Sequence, residues 1–125
     1  MRTLKIMIGH HAIEVQLYPT STADAIFAAA PFEARATIWP GEVYFQAPIH
    51  AEREEDARDV VEPGELAVRT EGEVIIMGFG PTPCSEGDEI RFASQANIWG
   101  RTPSDLPAFL ADVEAGQLIR VEVVE

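Results

Sequence analysis

Cysteine is nearly absent from this chain. Cys84 is the single thiol and cannot form an internal disulfide, so nothing calls for an oxidising compartment and the cytoplasm is the expected location. It has no basic residue or histidine close by in sequence, which removes the usual means of activating a nucleophilic thiol. Long apolar runs are missing too: none approaches the roughly 20 residues that a membrane-crossing helix needs. The first residues, Met1 to Lys5, enter an alternating pattern directly, without the apolar centre of a signal peptide. Positive charge is scarce, with nine basic side chains against 21 acidic ones and a formal net charge of −12. A field of that sign repels phosphate backbones and anionic lipids, so neither nucleic acid nor a membrane surface is an expected partner. Gly78-Phe79-Gly80 is not followed by a lysine or a helix start, and no nucleotide or other cofactor site is indicated.

What remains is an ordinary globular chain. Its 125 residues and 46% apolar content describe one domain spanning 1–125, large enough to bury a real core. The acids concentrate in Glu52-Arg53-Glu54-Glu55-Asp56-Ala57-Arg58-Asp59, near His50. That spacing matches no established ligand pattern and the arginines offset part of the field, so a polar loop with at most a helical turn is expected, and no metal.

Alternation with period two dominates the chain. Leu4, Ile6 and Ile8, then Ile13, Val15 and Leu17, flank Gly9-His10 as a hairpin with one buried face. Adjacent His10 and His11 are expected to point in different directions, so they are not expected to chelate one ion but to be exposed turn residues. Ser21 and Asp24 resemble a capping box ahead of a helix whose Ala23, Ile26, Phe27 and Ala30 share one face until Pro31. Strand character follows at 34–39, 42–46, 65–70, 74–79 and 90–98. A second helix is expected from Ser104 or Asp105, with Leu106, Phe109, Leu110 and Val113 on one face and Gly116 at its end. Ile119, Val121 and Val123 make a last strand. Seven or eight strands with two short helices predict a mainly β closed barrel with the helices capping its ends, an open α+β sandwich being the alternative.

The order of these segments resembles the cyclophilin-like superfamily, in particular its small prokaryotic members of unassigned function. The residues that carry the resemblance are Thr20-Ser21-Thr22-Ala23 with Ala30-Pro31, and Trp39-Pro40-Gly41-Glu42-Val43-Tyr44-Phe45. Gly64-Glu65-Leu66-Ala67, Gly80-Pro81-Thr82-Pro83 and Ile98-Trp99-Gly100-Arg101 complete the set. The resemblance implies a cyclophilin-like β-barrel. It also implies a prolyl isomerase groove on the outer barrel face, where an arginine from a Phe-His-Arg strand motif contacts the prolyl nitrogen. That motif is absent here, and the comparable strand reads Val43-Tyr44-Phe45-Gln46.

Strand alternation offers a substitute cation. If Leu66 and Val68 face the core, Arg69 faces outward, and across the turn Val74 and Ile76 lie on the same outer side. Tyr44 and Gln46 share a face of their own strand. Tyr44, Gln46, Arg69, Val74 and Ile76 are therefore the expected ligand-binding set, with Arg69 the candidate catalytic cation. The expected function is a non-catalytic binding module for a short peptide or small ligand in an apolar groove on the outer barrel face. A weak peptidyl-prolyl isomerase and an assembly protein working through a protein interface are the alternatives. No pattern in the chain indicates its oligomeric state.

Overall fold

The alternating N-terminal residues form β1 (Thr3–Ile8) and β2 (His11–Leu17), an antiparallel pair with Leu4 opposite Val15 and Ile6 opposite Ile13. In the computed structural model, which describes residues 2–124, the apolar side of this hairpin is buried and its Lys5, Glu14 and Gln16 side is not. The chain continues through α1 (Ser21–Ala29), β3 (Phe32–Arg35), β4 (Thr37–Trp39), β5 (Glu42–Gln46) and β6 (Arg58–Val61). It finishes with β7 (Glu65–Arg69), β8 (Val74–Gly78), β9 (Ile90–Arg101), α2 (Leu106–Leu110) and β10 (Leu118–Val123).

Pairing is antiparallel throughout, in the order β3-β10-β1-β2-β9-β7-β8-β5-β4. The two ends of that order, β3 and β4, are separated in sequence only by Ala36. Its N–H donates to the Gln117 carbonyl at 2.9 Å while its own carbonyl accepts from Gly116. One bent segment therefore pairs with β10 before the bend and β5 after it, and a nearly closed barrel results. Closure pairs most of the backbone groups that an open sheet would leave at its edges.

Among the described residues there are ten strands, more than the seven or eight expected. The strand expected at 34–39 is two strands hinged at Ala36, and the acidic segment contributes β6 in place of continuous loop. The α1 cap also differs. Thr20, not Ser21, holds the extended cap conformation, and its hydroxyl accepts from the Ala23 N–H at 3.1 Å. α2 is one short turn-and-a-half capped by Asp105, and the chain from Ala111 to Gly116 is turn, not helix.

Two hydrophobic clusters form. The larger fills the barrel with Leu4, Ile6, Ile13, Val15, Val43, Phe45, Leu66, Val68, Ile75, Met77, Trp99 and Val121, closed by Ile26 of α1 and Leu106 and Leu110 of α2. The smaller lies outside the β7–β8 hairpin and joins Ala67, Val74 and Ile76 to Val61, Ile90, Phe92, Ala96 and Ile98. It exists because β9 is twelve residues long and serves two partners: its second half pairs with β7, its first half with β6. Gly78 permits the close approach. A Cβ there would come within 2.6 Å of the Ile90 Cγ2 and 2.9 Å of the Phe92 ring. Gly41, at φ +82°, is required twice over, by its left-handed turn and by the Gly80 and Pro81 carbonyls against it.

The N-terminal turn departs from expectation. Gly9 has φ +61°, so the backbone curls and strict side-to-side alternation does not hold across the turn. His11 is half-buried, stacked on Phe109 with ring centroids 5.1 Å apart, and the His10 ring lies 4.4 Å from it.

Candidate functional site

The five side chains expected to line one outer groove are divided between two depressions that meet at Tyr44. Tyr44, Gln46 and Val74 border an open depression with Glu33, Arg35, Thr37, Pro48 and Gly72. Tyr44, Arg69 and Ile76 border a smaller niche with Trp39, Glu42, Phe92 and Ser94. Cross-strand register explains the grouping, since Tyr44 is opposite Ile76, and Gln46 is opposite Val74, itself opposite Arg69. Val74 and Ile76 are only 8% and 4% exposed, because the first half of β9 and β6 cover them. No helix provides that cover. Arg69 lies 5.9 Å from the Tyr44 ring centroid, within cation–π range, and its Nε–H donates to the Glu71 carbonyl at 3.1 Å. Glu42, in the same niche, is a buried carboxyl; burial pushes it above the usual carboxylate range, with Arg69 pulling the other way.

Another cleft, of about 760 Å³, opens elsewhere, at the end of the strands where Gln16, Arg101 and Glu65 stand in register. Phe79, Ile90 and Leu106 supply apolar walls, Pro63, Pro81, Pro103 and Pro107 stiffen the rim, and Arg101, Asp88 and Asp105 bring charge. Its size and mixture of apolar walls with a few polar groups match the usual form of a small-ligand site.

Arg101 is distinctive within this cleft. Among the described residues it is the arginine whose side chain makes neither an ion pair nor a hydrogen bond. Its cross-strand neighbour Glu65 does not neutralise it, because that carboxylate is already engaged. Arg58 donates two hydrogen bonds to Glu65 at 2.8 and 2.9 Å, the Glu62 N–H donates at 2.9 Å, and the Tyr18 hydroxyl at 3.0 Å. Burial alone would raise the Glu65 carboxyl, but the Arg58, Glu62 and Tyr18 donors outweigh it and hold the group below its ordinary range. Burial first, and then the bond to Glu65, push the Tyr18 phenol up.

The acidic segment does not fold over either depression. Glu54 is tied to the start of α1, accepting from the Thr22 hydroxyl at 2.5 Å, the Thr22 N–H at 3.2 Å and the Ser21 hydroxyl at 3.3 Å. The buried Asn97 of β9 completes the tie, its amide donating to the Glu52 carbonyl and its oxygen accepting from the Glu54 N–H at 2.9 Å. A carboxylate at a helix N-terminus meets unpaired N–H groups and the favourable end of the dipole. Acid in this segment thus serves architecture. Cys84 is exposed, on the turn held by Thr82 and Ser85.

Sequence reasoning passed over Arg101, Phe79 and Leu106 as site residues. A signal for them existed: Arg101 ends a strand and enters Thr102-Pro103-Ser104-Asp105, a stiff polar loop of the kind that carries binding groups.

An antiparallel barrel with a short helix at its mouth, an outer strand layer and a cleft at the strand ends defines a cyclophilin-type barrel. The profile of the family described as Cyclophilin-like matches residues 2–122, and the chain belongs to that family. It is similar over 97% of its length to the solution structure of the hypothetical protein AF2241 from Archaeoglobus fulgidus, with 93% of that chain covered, a TM-score of 0.80 and 35% identity. No curated protein matches the chain. No helix among the described residues is long and apolar enough to cross a membrane.

Proposed function

We propose that this cyclophilin-like chain is a binding module that takes a short peptide or small ligand in the cleft between Phe79 and Leu106. The ligand would place an apolar group against Phe79, Ile90 and Leu106 and a carbonyl or carboxylate on Arg101. One observation carries the reading: an arginine without a partner among the described residues stands in an apolar-walled cleft of a strongly acidic protein. An unsatisfied guanidinium with five N–H donors is suited to planar oxygen acceptors.

Weak prolyl isomerase activity is the second reading, favoured by the same juxtaposition. The cleft's volume of about 760 Å³ leaves room for a proline ring, and Arg101 would supply the donor beside the prolyl nitrogen. The Tyr44 depression, with Arg69 beside it, is the competing location. NMR titration with an Ala-Pro peptide, together with exchange spectroscopy on the peptide, separates these readings. Shifts centred on Phe79, Gly80, Arg101 and Leu106 that vanish in Arg101→Ala support binding in the cleft. Faster cis/trans exchange, lost in the same variant, establishes the isomerase. Shifts centred on Tyr44, Gln46 and Val74 move the site to the outer depression. Absence of shifts across a panel of proline peptides and small carboxylates overturns the proposal.

A further inference from the structure

Away from the cleft, two loops bring together a set of side chains with metal-ligand chemistry. His10 and His11 come from the β1–β2 turn, and Asp112 comes from the turn that follows α2. One ligand atom from each lies within 4.8 Å of the other two. The His11 Nε2 and an Asp112 carboxylate oxygen are 3.5 Å apart. Two atoms that each bind a tetrahedral ion at about 2.0–2.2 Å stand roughly 3.3–3.6 Å from one another, so this pair already has ligand spacing. His10 is exposed and supplies the third ligand atom.

Two further observations separate this cluster from a chance grouping. The His11 Nε2 is buried and has no hydrogen-bond partner among the described residues, although a buried polar atom normally has one. The ring is also fixed: it stacks on Phe109 at an interplanar angle of 10°, which holds the nitrogen toward Asp112 before any ion arrives. By contrast, the exposed His50 has both ring nitrogens engaged, by Glu52 and Glu73 at 3.1 Å each.

We propose that His10, His11 and Asp112 form a divalent-metal site clasping the β1–β2 turn to the loop between α2 and β10. Two imidazoles and one carboxylate suit zinc or a similar borderline cation, with water in the fourth position. The protein's net charge of −12 raises the local concentration of such cations. The ion would replace the missing partner of the His11 nitrogen.

Isothermal titration of zinc chloride into chelator-treated, dialysed protein tests the site, alongside His10→Ala, His11→Ala, Asp112→Asn and His50→Ala. The expected result is one ion per chain, weakened by at least about tenfold in each of the first three variants and retained in His50→Ala. Imidazole nitrogen resonances of His10 and His11 should shift with the same stoichiometry, and the backbone amide spectrum confirms that each variant is folded. Loss of binding in His50→Ala, retention in His11→Ala, or only weak, non-stoichiometric uptake by the acidic surface overturns the proposal.

Discussion

The two faces of the β7–β8 hairpin bury similar residues against different neighbours. Inside, Leu66, Val68, Ile75 and Met77 meet the rest of the barrel, including the fully buried Trp99 and side chains from both helices. Outside, Ala67, Val74 and Ile76 meet Ile90, Phe92, Ala96 and Ile98 of β9 and Val61 of β6, with Tyr18 and Tyr44 packed against them. All five residues of β8 are buried as a result, although one side was expected to form an open apolar groove. An apolar pair on the outer side of a strand carries no information about whether ligand, partner or the chain's own distant segment covers it. Here the chain covers itself.

If the inner face carries the fold and the outer one is a secondary layer, substitutions should separate them. The largest effect is expected for Trp99→Ala, which empties the centre of the barrel and should cost about 3–5 kcal/mol in a denaturant melt. Ile76→Ala should cost about 2 kcal/mol, at the lower end for buried aliphatic truncation, because its cluster is smaller. Hydrogen exchange makes the comparison sharp. In Ile76→Ala, protection should fall in β6 and the first half of β9 and persist in β1, β2 and β10. Equal loss everywhere would mean that the two layers unfold as one unit.

The polar groups bordering the layers should follow with smaller effects of opposite sign. Glu65→Gln removes the ion pair with Arg58 and one of the two oxygens that accept from it, and should cost about 1–3 kcal/mol at neutral pH, tempered because the Arg58 side chain is 43% exposed and can turn to water. The Glu65 carboxyl sits below its unfolded range, so its contribution is complete above that range and is lost as pH falls through the depressed value. Melts from neutral pH down to about pH 3 should lose part of their acid dependence in this variant. Glu42 behaves conversely. Its pKa is raised by burial, so its contribution is present below the unfolded value and is lost as pH rises through the folded one. Glu42→Gln should therefore be neutral or stabilising, by about 1 kcal/mol or less, at neutral pH. A clear loss of stability there would show that the ionised carboxylate is favourably paired with Arg69.

Much of the barrel was legible in the chain. Period-two alternation marked the β1–β2 hairpin and the inner residues of β7 and β8, and the turn glycines marked their ends. The helix starts were legible too, with the α1 cap misplaced by one residue because Thr20 and Ser21 offer the same chemistry. The split at Ala36 was not legible, since a corner between two strands depends on which partners lie on either side. Nor was β6, whose acids and arginines read as loop until Arg58 found Glu65 and Val61 found Ile90. Of the expected site residues, Tyr44 does meet Val74, Ile76, Gln46 and Arg69, but in two separate depressions. The cleft at Arg101 gathers residues from five separate stretches, and no local pattern announces such a gathering.

By itself the sequence determined the β-rich class, the family and the inner face of most strands, because alternation, glycine turns and caps act between near neighbours. Only the tertiary structure decided which outer residues are dry, which arginine is left without a partner among the described residues and which histidines share a corner. Those outcomes depend on competition between distant groups, such as Arg58 and Arg101 for Glu65, and a one-dimensional pattern does not record who wins.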